Sequence, residues 1–340
     1  MIIEEFTFPS SEEGQTIYGR AYLPYGEVKG IVQFAHGMCD YGERYEEFFS
    51  ELTDCGYIAA YADHLGHGRS VNDPDDFGFF AHRDGYLKVV ADFARFYDIL
   101  DAKFPGEKHY VMGHSMGSFI VRYFMGTYRK NMAGAIIMGT SGPNILAGAG
   151  ILLAGAIAKI RGDHYRSSLI EKIAFGPYNK RIEDPVSAWD WLSRDVEAVY
   201  SFDEDEWRNH TFTASAFKDL FCLLREVNLV PLMEDTPKEL PVLFLSGEED
   251  PLGNYGKGIY RLEDTFASMG FKDVRAILFP EDRHELCHEF DKEDVYETII
   301  DWLNRRCYKD VVLTFPEDDP MDDEFDDDDD YEYEDEDDRY

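Results

Sequence analysis

Short, uninterrupted apolar runs alternate along the chain with stretches whose apolar positions recur every three or four residues. Gly30–Ala35, Tyr57–Ala62, His109–Met112, Ala133–Met138 and Pro241–Leu245 are runs of four to six residues. That length and continuity suit strands buried on both faces of a parallel sheet. Between them lie helical patterns. Tyr45–Cys55 stops at Gly56, and Tyr86–Phe104 sets Val89, Val90, Phe93, Phe96, Tyr97 and Leu100 on one stripe before Pro105-Gly106. Met116–Tyr128, Tyr255–Met269 and Asp291–Arg306 read the same way, and Val274–Phe279 is the candidate last strand. Repeated strand–helix alternation predicts a parallel, doubly wound α/β sheet. Ahead of it, Ile2–Phe8 and Thr16–Leu23 alternate polar and apolar residues around Ser10-Ser11-Glu12-Glu13-Gly14, the pattern of a hairpin at a sheet edge.

The alternation breaks between about Gly142 and Met233. No strand pattern appears there, several helical ones do, and Trp189, Trp191 and Trp207 lie within it. The expected organisation is a core of residues 1–141 and 234–310, a helical cap at 142–233 over the C-terminal edge of the sheet, and a tail at 311–340. Ile145–Ile160 is strongly apolar but, at about sixteen residues, falls short of the roughly twenty that a membrane span requires. It reads as a buried cap helix, or as a mobile lid helix that lines an acyl-chain channel or touches lipid.

Charge changes the picture at the C-terminus. The 340-residue chain has a formal net charge of -36, and residues 317–340 hold 17 acidic side chains against Arg339 alone. Such a run repels itself and buries nothing, so the tail is expected to be disordered. The acidity of the remainder argues against nucleic acid, whose phosphates demand cations, and against electrostatic docking on anionic lipid. The five cysteines show no CxxC spacing, and the N-terminus lacks a basic and then apolar leader. Free thiols in a reducing cytoplasm are the corresponding expectation.

Candidate chemistry centres on Gly113-His114-Ser115-Met116-Gly117. This G-x-S-x-G follows an apolar run and opens a helix-like stretch, the context of a strained strand-to-helix turn that presents the serine hydroxyl above the sheet. Gly113 and Gly117 relieve the crowding, and the helix N-terminus favours developing negative charge. A hydroxyl needs a base, and on such an elbow the acid and then the histidine follow in chain order. His284, in the loop after Val274–Phe279, is the expected base, with His288 as the alternative. Asp250 is the expected acid, ahead of Glu248 and Glu249, because Pro251 fixes its turn. An oxyanion would be received by the N–H groups of Met116 and of Met38, in the loop His36-Gly37-Met38, with His36 supporting that loop. The histidines of Asp63-His64-Leu65-Gly66-His67-Gly68-Arg69-Ser70 invite a metal reading, but no carboxylate–histidine set of suitable spacing completes it. With G-x-G-x-x-G absent near the first strand, a dinucleotide site has no support either. No cofactor is expected.

Taken together these residues resemble the monoacylglycerol lipase and lysophospholipase branch of the α/β-hydrolases, over about residues 10–308. Matching pieces are His36-Gly37-Met38 with Glu43-Arg44-Tyr45, the Asp63–Ser70 loop, the Gly113–Gly117 elbow, Ser246-Gly247-x-x-Asp250-Pro251-x-Gly253, Arg283-His284-Glu285 and Trp191-Leu192-Ser193-Arg194-Asp195. The resemblance implies an α/β-hydrolase fold and a cofactor-free serine esterase or lipase acting on monoacylglycerols, lysophospholipids or similar single-chain esters, with a cap that shapes the acyl pocket. Two features depart from the pattern: Cys39-Asp40-Tyr41-Gly42, inserted before Glu43, and the acidic tail. A thioesterase or a proline-type aminopeptidase would use the same triad. In the latter, Glu183, Asp184 or Asp190 would hold a free amine. A non-catalytic binding protein on the same scaffold is the third class, and a serine at 115 argues against haloalkane or epoxide chemistry.

Overall fold

The computed structural model describes residues 1–314. Eight strands form one sheet: β1 (Ile2–Pro9), β2 (Thr16–Leu23), β3 (Gly30–Ala35), β4 (Tyr57–Ala62), β5 (His109–His114), β6 (Met132–Met138), β7 (Val242–Gly247) and β8 (Val274–Phe279). Their order is β1-β2-β4-β3-β5-β6-β7-β8. β2 runs antiparallel to β1 and to β4, and every other neighbouring pair is parallel. β5 and β7 run past the apolar runs that predict them. His114 still pairs with Met138 and Gly247 with Phe279, so polar residues at the strand ends remain in the ladder.

The sheet has a core on each face, because side chains one residue apart on a strand point to opposite sides. Ile31, Ile58, Val111 and Phe244 pack with Phe93 of α2 (Gly85–Lys103), Phe119 of α3 (Met116–Thr127) and Phe266 of α9 (Lys257–Ser268). Their neighbours Val32, Ala59, Met112 and Leu245 pack with Phe48 of α1 (Glu46–Asp54) and Ile299 of α10 (Lys292–Asn304). This is the doubly wound arrangement that the apolar runs predict, and the architecture is that of an α/β-hydrolase.

Between β6 and β7 lie α4 (Ala147–Arg161), α5 (Ser168–Phe175), α6 (Val196–Glu204), α7 (Ala214–Glu226) and α8 (Val230–Asp235). Among the described residues the only β pairing in this stretch is an isolated bridge from Arg166 to Thr213. Arg122 of α3 fastens both ends of the segment: its guanidinium donates to the carbonyls of Ser141 (2.9 Å) and Val227 (2.8 Å). The apolar run at 145–160 gives α4, which buries small residues, Ala147, Ala154 and Ala158, and exposes Leu152 and Ile160. Among the described residues no helix is long and apolar enough to cross a membrane. Of the expected tail, residues from 315 onward lie outside the described residues. Before them, the Thr314 hydroxyl donates to Glu239 Oε2 (2.8 Å).

Candidate active site

Ser115 sits between β5 and α3 with φ 55° and ψ -120°, a conformation that costs on the order of 1–3 kcal/mol for a residue with a side chain. Close packing on either side holds it there. A Cβ on Gly113 would stand 2.2 Å from the Gly117 carbonyl oxygen, and one on Gly117 would stand 2.0 Å from that of Ala35. The Ser115 N–H donates to the Met138 carbonyl (3.0 Å), tying the elbow to the end of β6.

Three distant stretches meet at this hydroxyl. His284, in the loop after β8, has Nε2 2.8 Å from Ser115 Oγ and Nδ1 2.9 Å from Asp250 Oδ2. An ionised carboxylate can only accept, so Nδ1 carries the proton and Nε2 accepts from the serine. Asp250 is fully buried in the loop after β7, and its Oδ1 accepts from the Leu252 N–H (2.8 Å). Glu248 and Glu249 are exposed. His288 turns away and packs its ring on Tyr45 (centroids 5.1 Å apart), where burial depresses its pKa to about 3. Of the two histidines expected to compete, His284 is the one hydrogen-bonded to Ser115.

Met38 and Met116 line a cavity together with Ser115. Met116 is the first residue of α3, so its N–H has no acceptor within the helix. Gly37 lets the facing loop approach: a Cβ there would lie 3.2 Å from that of Ser115. His36 braces this loop. Its Nε2 accepts from the His64 N–H (2.9 Å), Nδ1 donates to the Gly37 carbonyl (2.9 Å), and burial lowers its pKa to about 4. The rings of His64 and His67 likewise engage backbone atoms of His36, Leu65 and Cys39. His82 pairs instead with Asp163. These bonds make the histidine trio 36, 64 and 67 a neutral brace beneath the site.

The Cys39–Gly42 insertion is anchored. Asp40 accepts from Arg44 Nη1 (2.7 Å) and the Tyr45 hydroxyl (2.8 Å), and the Gly42 N–H donates to Asp63 (2.9 Å). Several residues around the triad carry no local signal of their role. Trp191 places its ring 4.9 Å from that of His284, and His114 Nε2 donates to the His284 carbonyl (3.1 Å). Glu285 accepts from Arg44 (2.8 Å) and Arg208 (2.7 Å). Burial pushes its carboxyl upward in pKa, but the two guanidiniums outweigh that and hold it well below the usual carboxylate range. Arg44 and Glu285 stand in stretches that sequence alone singles out. The Arg208–Glu285 pair joins positions 77 residues apart and leaves no periodic trace.

Two cavities flank Ser115. One, of about 690 Å³, is lined chiefly by apolar side chains such as Phe119, Leu153, Ile173, Phe175 and Leu224. The other, of about 50 Å³, lies against Asp40, Glu285, Trp189, Trp191 and Phe202.

A family model for hydrolases described as serine aminopeptidase, S33, matches residues 26–291. The chain belongs to this family. The hydrolase is similar to the monoglyceride lipase homolog of monkeypox virus, 25% identical over 296 residues, which cover 85% of this chain and 95% of the relative. It is equally similar to a monoacylglycerol lipase of Mycolicibacterium smegmatis, 25% identical over 296 residues, or 85% of this chain and 93% of that one. Among solved structures, a thermostable carboxyl esterase from Bacillus coagulans in complex with glycerol superposes with a TM-score of 0.84. It is 25% identical, and the match covers 90% of this chain and 99% of the esterase.

Proposed function

We propose that this hydrolase cleaves carboxylic esters of single-chain lipids, of the monoacylglycerol type, through an acyl-enzyme intermediate on Ser115. The observation that carries this reading is the continuous hydrogen-bonded line from Ser115 through His284 to Asp250, at 2.8 and 2.9 Å. His284 Nε2 takes the hydroxyl proton as Ser115 Oγ attacks the ester carbonyl, and Asp250 steadies the imidazolium that forms. The tetrahedral oxyanion is received by the N–H groups of Met38 and Met116. As the intermediate collapses, His284 returns the proton to the departing alcohol. Water then attacks the acyl-serine, giving up a proton to His284, which returns it to Ser115 Oγ as the carboxylic acid leaves.

The unequal cavities support the substrate class. The larger falls within the range of pockets that enclose ligands of several hundred daltons, and its apolar wall suits an acyl chain. The smaller suits a compact leaving alcohol, since the carboxylates of Asp40 and Glu285 along it are already matched by Arg44 and Arg208. Residues 142–233 act as the cap, over a core of 1–141 and 234–310. Exposed Ile145, Leu152 and Ile160 around α4, and Leu169 and Ile173 on α5, support transient lipid contact at the mouth. A cytoplasmic location fits the five free thiols.

The family's description raises a second reading, aminopeptidase action. Holding a free amine needs an available carboxylate near the site. Asp190 is occupied by the Val186 and Ser187 N–H groups and the Ser187 hydroxyl, while Glu183 and Asp184 are exposed. The ester reading is therefore preferred. Its test is Ser115→Ala assayed on aryl esters of graded acyl length, alongside acyl thioesters and amino-acid amides. Ester turnover should vanish in the variant and exceed amide turnover in the parent. Near-parental ester turnover by Ser115→Ala would overturn the reading.

A further inference from the structure

The loop that carries His284 runs from β8 to α10, yet it is gripped from the β6–β7 segment on both flanks. Before the histidine, Arg283 Nη1 donates to the carbonyls of Asp190 (2.6 Å) and Ser193 (2.9 Å). Immediately after it, the Glu285 N–H donates to the Leu192 carbonyl (2.7 Å), and the Glu285 side chain accepts from Arg208 (2.7 Å). Further on, the Ser193 hydroxyl donates to the His288 carbonyl (2.9 Å). The Arg194 guanidinium enters a group of four carboxylates, bonding Asp282, Asp291 and Glu289 and lying 3.6 Å from Glu281.

These contacts are placed to act on geometry. Arg208 and Glu285 are 1% and 6% exposed, so removing either leaves a buried charge short of its partner. Removing Arg194 leaves its carboxylates facing one another, with Asp282 itself 1% exposed. Either change strains the loop within a few residues of the imidazole, whose Nε2 must stay within hydrogen-bond reach of Ser115. α4 and α5 line the large cavity and expose Leu152, Ile160, Leu169 and Ile173.

We propose that Arg194 and Arg208 are positioning residues for His284, so that the stretch 190–213 is a fixed part of the catalytic centre. This rests on the reading of His284 as the base of Ser115. Lifting residues 190–213 would pull the base from its nucleophile.

The test uses the full chain and Arg194→Met, Arg208→Met and Arg208→Lys, with rates normalised to sites titrated by a fluorophosphonate. In both Met variants kcat on a short aryl ester should fall by about tenfold to a hundredfold, with KM moving by less than about threefold, the signature of a displaced reacting group. The factor should be the same for every acyl length, and Arg208→Lys, which keeps one charged donor for Glu285, should recover part of the loss. An unchanged kcat, a loss confined to KM, or a loss that varies with acyl length would overturn the proposal. Should the variants fail to fold, hydrogen exchange on the unaltered protein decides. The Glu285 and Arg194 amides should be protected like β7; exchange as fast as that of an exposed loop would overturn it. If Ser115→Ala loses activity while the Arg variants keep theirs, only this proposal falls. If Ser115→Ala stays active, the base assignment falls first.

Discussion

The sheet and the segment inserted between β6 and β7 solve opposite problems. In β3, β4, β5 and β7 every residue is buried, and Ser115 and Asp250 follow the ends of β5 and β7, joined through His284 by hydrogen bonds of 2.8 and 2.9 Å. The inserted α4 buries only alanines, packs half-buried Leu153 and Ile157 against the core, and leaves Leu152 and Ile160 in solvent. The difference indicates where precision is needed. On the function proposed above, bond making at Ser115 tolerates little displacement, whereas an acyl chain is recognised by area, which the apolar wall of the large cavity supplies.

The sharpest way to break this comparison is to alter the precise side. His284→Ala should lower kcat by about 10⁴-fold or more, and Asp250→Asn by a similar factor through loss of the useful tautomer. Steady-state kinetics on a short aryl ester reads this out, and a loss below tenfold would mean that the line of hydrogen bonds is not the engine. Next comes the packing beneath it. Gly117→Ala forces a Cβ to within 2.0 Å of the Ala35 carbonyl and should destabilise the fold by about 1–3 kcal/mol, measured by denaturant unfolding.

The inserted side should respond by chain length. Leu153→Asp or Ile173→Asp, at the wall of the large cavity, should raise KM for long-chain esters about tenfold and leave acetyl esters nearly unchanged. Equal losses on acetyl and long-chain esters would erase the distinction between the two regions.

The smallest effect concerns the histidine brace. Burial holds His36 near 4 in the folded chain against 6.5 when unfolded. Between those values the unfolded chain binds the proton and the folded one does not, so the His36 contribution to stability is complete above pH 6.5 and fades as pH falls toward 4. His36→Gln should therefore be less stable than the parent at pH 7, with the gap narrowing on acidification. Denaturant melts at pH 7 and pH 4.5 would measure it, and a gap that widens would contradict the neutral brace.

The two regions also differ in how much of them could be read in advance. The runs at Gly30–Ala35 and Tyr57–Ala62 coincide with β3 and β4, because burial on both faces of a sheet demands short unbroken apolar runs. Ser115, Asp250 and His284, which the fold joins in one hydrogen-bonded line, each follow a recognisable strand at its carboxyl end. In the inserted segment the helices are short and partly irregular, and their partners lie far along the chain. Arg208 looks like an ordinary surface charge until the fold brings it against Glu285, and Arg194, though in a stretch the sequence singles out, shows its partners Glu289 and Asp282 only in the fold. Gly42 is a similar case. Its need to be glycine arises from the Tyr61 ring, which a Cβ would meet at 1.9 Å, and no local turn pattern announces it.

The most direct test of the catalytic centre is labelling by a fluorophosphonate followed by peptide mass mapping. A single phosphonyl adduct on Ser115, formed by the parent and strongly slowed in His284→Ala, is the expected result. No adduct in the folded parent, an adduct on another residue, or labelling as fast without His284 would contradict the claim that this hydroxyl is the nucleophile and this imidazole its base.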